Sequence, residues 1–103
     1  VAKLYIAEYE SLCLLDGAKG GFVQVAPQPP LAEQTVNITA GSLQSAAFNL
    51  RTRYIRVHTD ATCSILVGAD PTATTSKQRV AADHPGEYFG VMGGHKIAVI
   101  VNS

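Results

Sequence analysis

The sequence predicts an all-β sandwich, built from about eight short antiparallel strands in one domain spanning residues 1–103. Three observations carry that prediction. Arg51 to Gly68 alternates apolar and polar residues with period two on both sides of a short polar turn. Glycine and proline punctuate the rest of the chain at intervals suited to short strands. No stretch shows a sustained helical period, and the best candidate, Leu43 to Asn49, runs into a β-type pattern.

The Arg51–Gly68 stretch reads as a β-hairpin with one buried face. Ile55 and Val57 alternate with Tyr54, Arg56 and His58; Cys63, Ile65 and Val67 alternate with Ser64 and Leu66. Thr59 to Thr62 forms the turn, where Asp60 suits the geometry because its side chain can bond nearby amides.

Taken in order, Lys3 to Tyr9 is the first strand. It sets Leu4, Ile6 and Glu8 against Tyr5, Ala7 and Tyr9, and its apolar groups on both faces suggest either two contacted faces or an edge in an interface. Leu12 to Leu15 is an apolar knot, and Asp16 to Gly21 a loop. Phe22 to Ala26 is a short strand ended by Pro27, Pro29 and Pro30, which cannot donate to a ladder. The proline segment should run extended along the domain. Gln34 to Thr39 and Ser45 to Leu50 are two further strands, the second carrying Phe48.

Beyond the central pair, Ala69 to Lys77 has no apolar period and should be an exposed loop. Gln78 to Ala82, Glu87 to Val91 and His95 to Val101 complete the strands. The last is apolar on both faces, although only one face of each sheet meets the core of a two-layer sandwich. Its second face needs a cover, which another subunit would supply. A jelly roll or related Greek-key arrangement is the specific expectation.

Composition narrows the function classes. Lysine plus arginine and aspartate plus glutamate both number 8, for a net charge of 0. Binding to nucleic acid by bulk electrostatics needs a basic excess, so the balance argues against it. Residues are 47% hydrophobic and only 16% charged, against roughly 25% charged in ordinary soluble domains. That composition suits a subunit that buries part of its exterior against partners. No apolar run approaches the roughly 18 residues of a membrane span, and no export signal is evident at the start, so a soluble, non-membrane protein is expected. Cys13 and Cys63 have no metal-type spacing and read as small buried hydrophobes with free thiols.

Catalytic patterns are lacking. His58, His84 and His95 are scattered, without the converging set a metal needs. There is no nucleophile elbow and no phosphate loop; Gly20-Gly21 and Gly93-Gly94 read as turn glycines. The expectation is therefore a non-enzyme without cofactor or metal. The residues that invite a partner are Arg51, Arg53, Tyr54, Arg56 and His58, with the arm Pro29, Pro30 and Leu31 as a second contact. Tyrosine and arginine are enriched at interface hot spots. The ordinary alternative is a solvated sheet face on which arginine stems cover apolar area.

Longer motifs add a resemblance. They are Lys3-Leu4-Tyr5-Ile6-Ala7-Glu8-Tyr9, Pro29-Pro30-Leu31-Ala32, Ser45-Ala46-Ala47-Phe48 and Thr52-Arg53-Tyr54-Ile55-Arg56-Val57. Gly68-Ala69-Asp70-Pro71-Thr72-Ala73-Thr74, Glu87-Tyr88-Phe89-Gly90-Val91 and Lys96-Ile97-Ala98-Val99-Ile100 continue them. With these the chain resembles a family of short structural proteins of tailed phages and prophages, and is similar to the jelly-roll capsid cement proteins of short-tailed phages. The resemblance implies a virion protein, assembled in the bacterial cytoplasm as a dimer or trimer, that binds the major capsid protein and stabilises the head. A tail or head-completion component, or a module for host-surface carbohydrate, are the alternatives. No catalytic or binding residue carries over from the resemblance.

Overall fold

The computed structural model describes residues 2–11, 13–14, 22–23, 26 and 28–102. Among them there is no helix; ten strands follow in order: β1 Lys3–Tyr9, β2 Cys13–Leu14, β3 Phe22–Val23, β4 Ala32–Asn37, β5 Leu43–Gln44, β6 Tyr54–Thr59, β7 Cys63–Gly68, β8 Gln78–Val80, β9 Glu87–Gly90 and β10 Lys96–Val101. Eight of them make two antiparallel four-stranded sheets, ordered β4-β1-β6-β9 and β5-β10-β7-β8. β2 and β3 pair only with each other. The expected Asp16–Gly21 loop and Leu12 and Leu15 of the apolar knot lie outside the described residues, as does Pro27.

The topology is a jelly roll with one strand relocated. β7 pairs with β8, β6 with β9 and β5 with β10, each pair nested outside the last and falling alternately in the two sheets. Nesting of this kind is what an eight-stranded double-sheet roll requires. The next pair outward would join β4 to a strand after β10. That place, between β4 and β6, is filled by β1. The start of β1 and the end of β10 therefore meet around the 38–39 segment: the Ile38 amide donates to the Ala2 carbonyl and the Val101 amide to that of Thr39, each at 2.9 Å.

The core follows the alternation. Leu4 and Ile6 of β1, Ile55 and Val57 of β6, Cys63 and Ile65 of β7, and Ile97 and Val99 of β10 are buried between the sheets, with Val36, Ile38, Phe48 and Val80. β1 lies inside its sheet rather than at its edge.

Three expectations are corrected. Arg51–Gly68 is not a hairpin: β6 and β7 belong to different sheets, and their buried faces oppose each other across the core. An arch and a hairpin share the same alternation, so pattern does not separate them. The backbone groups of the turn go elsewhere, Asp60 N–H to the Lys3 carbonyl and the Thr59 carbonyl to Asp83 N–H. Second, Ser45 to Leu50 is not a strand. After the two-residue β5 the chain departs from ladder geometry because Ser45 Oγ accepts from Ile97 N–H at 3.0 Å, while Phe48 N–H reaches the His95 carbonyl.

Third, the Ala69–Lys77 loop is only partly exposed. Gln44 Nε2 donates to Asp70 Oδ1 and to the Pro71 carbonyl, and Asn102 Nδ2 donates to Ser64 Oγ and to the Thr75 carbonyl. Pro71 and Ala73 are buried. The anchors stand on either side of Ala98 and Ser64, which point away from the core and are nevertheless buried. The chain itself thus covers the outer face of β10 at Ala98, where the sequence suggested a second subunit.

Candidate functional site

The predicted contact residues separate into two surfaces. Tyr54, Arg56 and His58 share the outward parity of β6, as the alternation requires. Register brings others beside them: Tyr5 faces His58, Ala7 faces Arg56 and Tyr9 faces Tyr54 on β1, and Tyr88 faces Arg56 on β9. All 4 tyrosines of the chain therefore lie on the outer side of one sheet. The Tyr9 and Tyr54 rings stack at 5.2 Å, Tyr88 tilts against Tyr54 at 6.1 Å, and Tyr5 tilts against His58 at 6.2 Å.

These rings are held in place. Tyr54 donates to the Ser11 carbonyl at 2.9 Å, Tyr9 accepts from Gln28 Nε2 at 3.0 Å, and Tyr5 makes a long bond to Asp60 at 3.4 Å. Next to Tyr5 the small Ala7 leaves a groove of about 350 Å³, walled by Arg56, Glu33 and Thr35. Arg56 forms no hydrogen bond or ion pair among the described residues.

Arg51 and Arg53 belong elsewhere, at one end of the sandwich. There Leu50 is 84% exposed and Met92 66%, the two most exposed large apolar side chains among the described residues. The segments that carry them are laced together: Val91 N–H donates to the Arg53 carbonyl, and Gly94 N–H to that of Phe48. Gly93 passes so close to Leu50 that an added Cβ would stand 2.8 Å from the Leu50 Cα. Arg53, Val91, Met92 and His95 line an open depression of about 460 Å³. Arg51 is occupied by Glu10, Nη2 to Oε1 at 2.7 Å. The hydrogen bond to Arg51 holds the Glu10 carboxyl below its usual pKa.

A buried carboxylate positions this end. Glu8 is 2% exposed and points into the sandwich. Its Oε1 accepts from Asn49 N–H at 2.8 Å and from Thr52 Oγ1 at 2.7 Å, and its Oε2 accepts from Gln34 Nε2 at 3.3 Å. Gln34 also brackets Ala46, accepting from its amide and donating to its carbonyl. Together they clamp the irregular segment on which Leu50 and Arg51 are carried.

The proline arm lies back on its own domain. Leu31 N–H donates to the Glu8 carbonyl at 2.7 Å, and Gln28 reaches Tyr9; Pro29 is exposed, Pro30 and Leu31 half-buried. Of the histidines, His84 is exposed in a turn and His95 stands at the Met92 end. No group of three or more His, Cys, Asp and Glu converges on a metal position among the described residues. Burial pushes the Cys63 thiol pKa up, and Sγ bonds Thr59 Oγ1 at 3.7 Å.

Sequence reasoning missed Tyr88, Leu50 and Met92 as surface-forming residues, and did not connect the outward Tyr5 with β6. Parity already placed Tyr5, Ala7 and Tyr9 on one side of their strand; what it lacked was the register that sets this side beside β6. Comparison with family models, curated proteins and solved structures gave no match.

Proposed function

We propose that the protein is a phage virion structural subunit of the capsid-decoration kind, which stabilises the head by bridging major capsid subunits. The carrying observation is the end surface, where Leu50 and Met92 stand exposed on adjoining segments next to Arg53. Exposed apolar side chains rimmed by a cation suit a joint between protein subunits. The jelly-roll architecture and the balanced charge support the same reading, since a neutral subunit packs at many equivalent sites with little mutual repulsion. Many modest contacts repeated around a shell give large collective stability.

The test is particle composition. Particles induced from a lysogen carrying the gene are purified and examined by quantitative mass spectrometry. The expected result is this chain at a fixed ratio to the major capsid protein, with Leu50→Asp and Met92→Asp variants depleted from the particles. Particles that lack the protein, or that carry it only with tail components, would overturn the capsid reading.

A further inference from the structure

We propose that two copies of the chain pair through the free edge of β4, with Thr35 on a two-fold axis, so that their β4-β1-β6-β9 sheets join into one continuous sheet. The inference does not rest on what the Leu50–Met92 end binds.

The hydrogen-bond phase of β4 fixes which of its backbone groups are free. The Ile38 amide donates to the Ala2 carbonyl, a pair that continues the β1–β4 register by one residue. Bonded pairs in an antiparallel ladder recur at every second residue. Ala32, Gln34 and Val36 therefore turn their backbone groups toward β1, and Glu33, Thr35 and Asn37 turn theirs away from it. The far side of β1 agrees: the Asp60 amide donates to the Lys3 carbonyl, which leaves Leu4, Ile6 and Glu8 to serve β4. No strand lies beyond β4 in its sheet, and no loop or side chain among the described residues bonds the amides of Glu33, Thr35 and Asn37.

This edge is also unguarded. Exposed edges are normally blunted by shortness, lysine, proline or a bulge. β4 has 6 residues, against 2 in β5, 3 in β8 and 4 in β9, the other three edges of the two large sheets. It contains no lysine or proline, and its register with β1 runs without a bulge. A free edge of this kind takes up an added strand.

A second copy is the occupant because β4 complements itself. Antiparallel pairing about Thr35 engages all the free backbone groups of 33, 35 and 37. It sets Thr35 opposite Thr35 of the second copy, and Glu33 opposite Asn37 of the second copy. All of these side chains are exposed, and cross-strand pairs of this type stabilise a sheet. Lys3 flanks Asn37 on β1, exposed and without an acidic partner among the described residues. Glu33 of the second copy stands on the other side of the same Asn37, about 10 Å from Lys3 across two strand spacings. The long side chains of Lys3 and Glu33 close that gap, and the two-fold axis makes the match twice. A register with Glu33 opposite Glu33 would pair like charges and is disfavoured. The inward side chains need not move: Gln34 stays bonded to Glu8 and Ala46, and Val36 stays buried in its own core. Pairing therefore orders little that is not ordered beforehand.

The experiment is sedimentation equilibrium of the intact chain combined with NMR amide exchange. A dimer is expected in which the amides of Glu33, Thr35 and Asn37 exchange slowly; dilution to monomer should free these and leave Gln34 and Val36 protected. Thr35→Lys, at an exposed position, should weaken the dimer about tenfold or more by setting like charges face to face. Retained protection at Gln34 and Val36 would show that this variant is folded. Glu33→Lys should also weaken the dimer, and adding Lys3→Glu to it should restore the native dissociation constant. A monomer at millimolar concentration, a trimer, or a dimer whose 33, 35 and 37 amides exchange freely would overturn the proposal. So would native dimerisation of folded Thr35→Lys, or failure of the charge swap to rescue Glu33→Lys.

Discussion

The Arg56 guanidinium rests on the backbone of Gly86, so closely that a Cβ on Gly86 would stand 2.7 Å from Nη2. Gly86 lies just before β9, and its lack of a side chain sets where the Arg56 charge sits above the sheet. Gly86→Ala should therefore swing the guanidinium away. The moving group is the far end of a flexible chain, so stability should change by no more than about 0.5 kcal/mol. A loss above about 1 kcal/mol in urea unfolding would show that the Arg56 side chain cannot yield.

Glu8→Ala should be among the most damaging single changes. It strips the acceptor from the Asn49 amide and the buried Thr52 hydroxyl and leaves both without a partner. The lost hydrogen bonds, together with the orphaned donors, put the cost at about 3 kcal/mol. Urea unfolding should show a lower midpoint with an unchanged slope. A loss below about 1 kcal/mol would mean that the clamp on the 46–52 segment is weak.

Lifting the 69–77 loop should expose an apolar sheet face. Ala73→Glu places a charge at a buried position, an arrangement that favours an unseated loop over a buried, unpaired carboxylate. Concentration-dependent self-association beyond the native chain's in sedimentation velocity is the expected outcome, with faster amide exchange at Ala98. Native association with native exchange at Ala98 would show that the sheet face does not depend on this cover.

Cys63 should be inert in the native state. Burial holds its folded pKa above the ordinary thiol value of 9.0. A raised thiol pKa contributes stability that is intact below the unfolded value and is lost as pH rises through the folded one. Unfolding free energy should thus decline above about pH 9, and less so in Cys63→Ser. Ellman's reagent at pH 8 should modify Cys63 only at the unfolding rate.

The Glu10–Arg51 pair has the opposite pH sign. Because the hydrogen bond to Arg51 lowers the folded Glu10 pKa, its contribution is present above the ordinary carboxyl value of 4.5 and disappears as pH falls through the depressed one. Both side chains are exposed, so the effect should be small and should fade in salt. A stability difference between wild type and Arg51→Ala that survives in 1 M salt would contradict this.

The limits of the sequence are physical ones. Period-two alternation identified β1 residue for residue and the inward set Ile55, Val57, Cys63, Ile65 and Val67, because burial on one face imposes that period. Parity says nothing about which strands pair, so the arch between β6 and β7 looked like a hairpin. Pro71 and Ala73 are buried by tethers from Gln44 and Asn102, neither near them in the chain, and a loop of Thr, Ala and Asp carries no local mark of that. The candidate site suffered likewise. Arg51, Arg53 and Arg56 are neighbours in sequence and part company in space, because Arg56 lies within β6 and the other two precede it. Tyr5 and Tyr88 join Arg56 only through register.

The relocated strand settles the direction in which the molecule can be extended. β1 runs from the Asp60 end to the Arg53 end, and β10 runs back from His95 toward Thr62. Residues 2 and 102 thus emerge together, at the pole opposite Leu50 and Met92. Whatever precedes residue 2 or follows residue 102 in the chain therefore sets out from the side of the sandwich away from Leu50 and Met92.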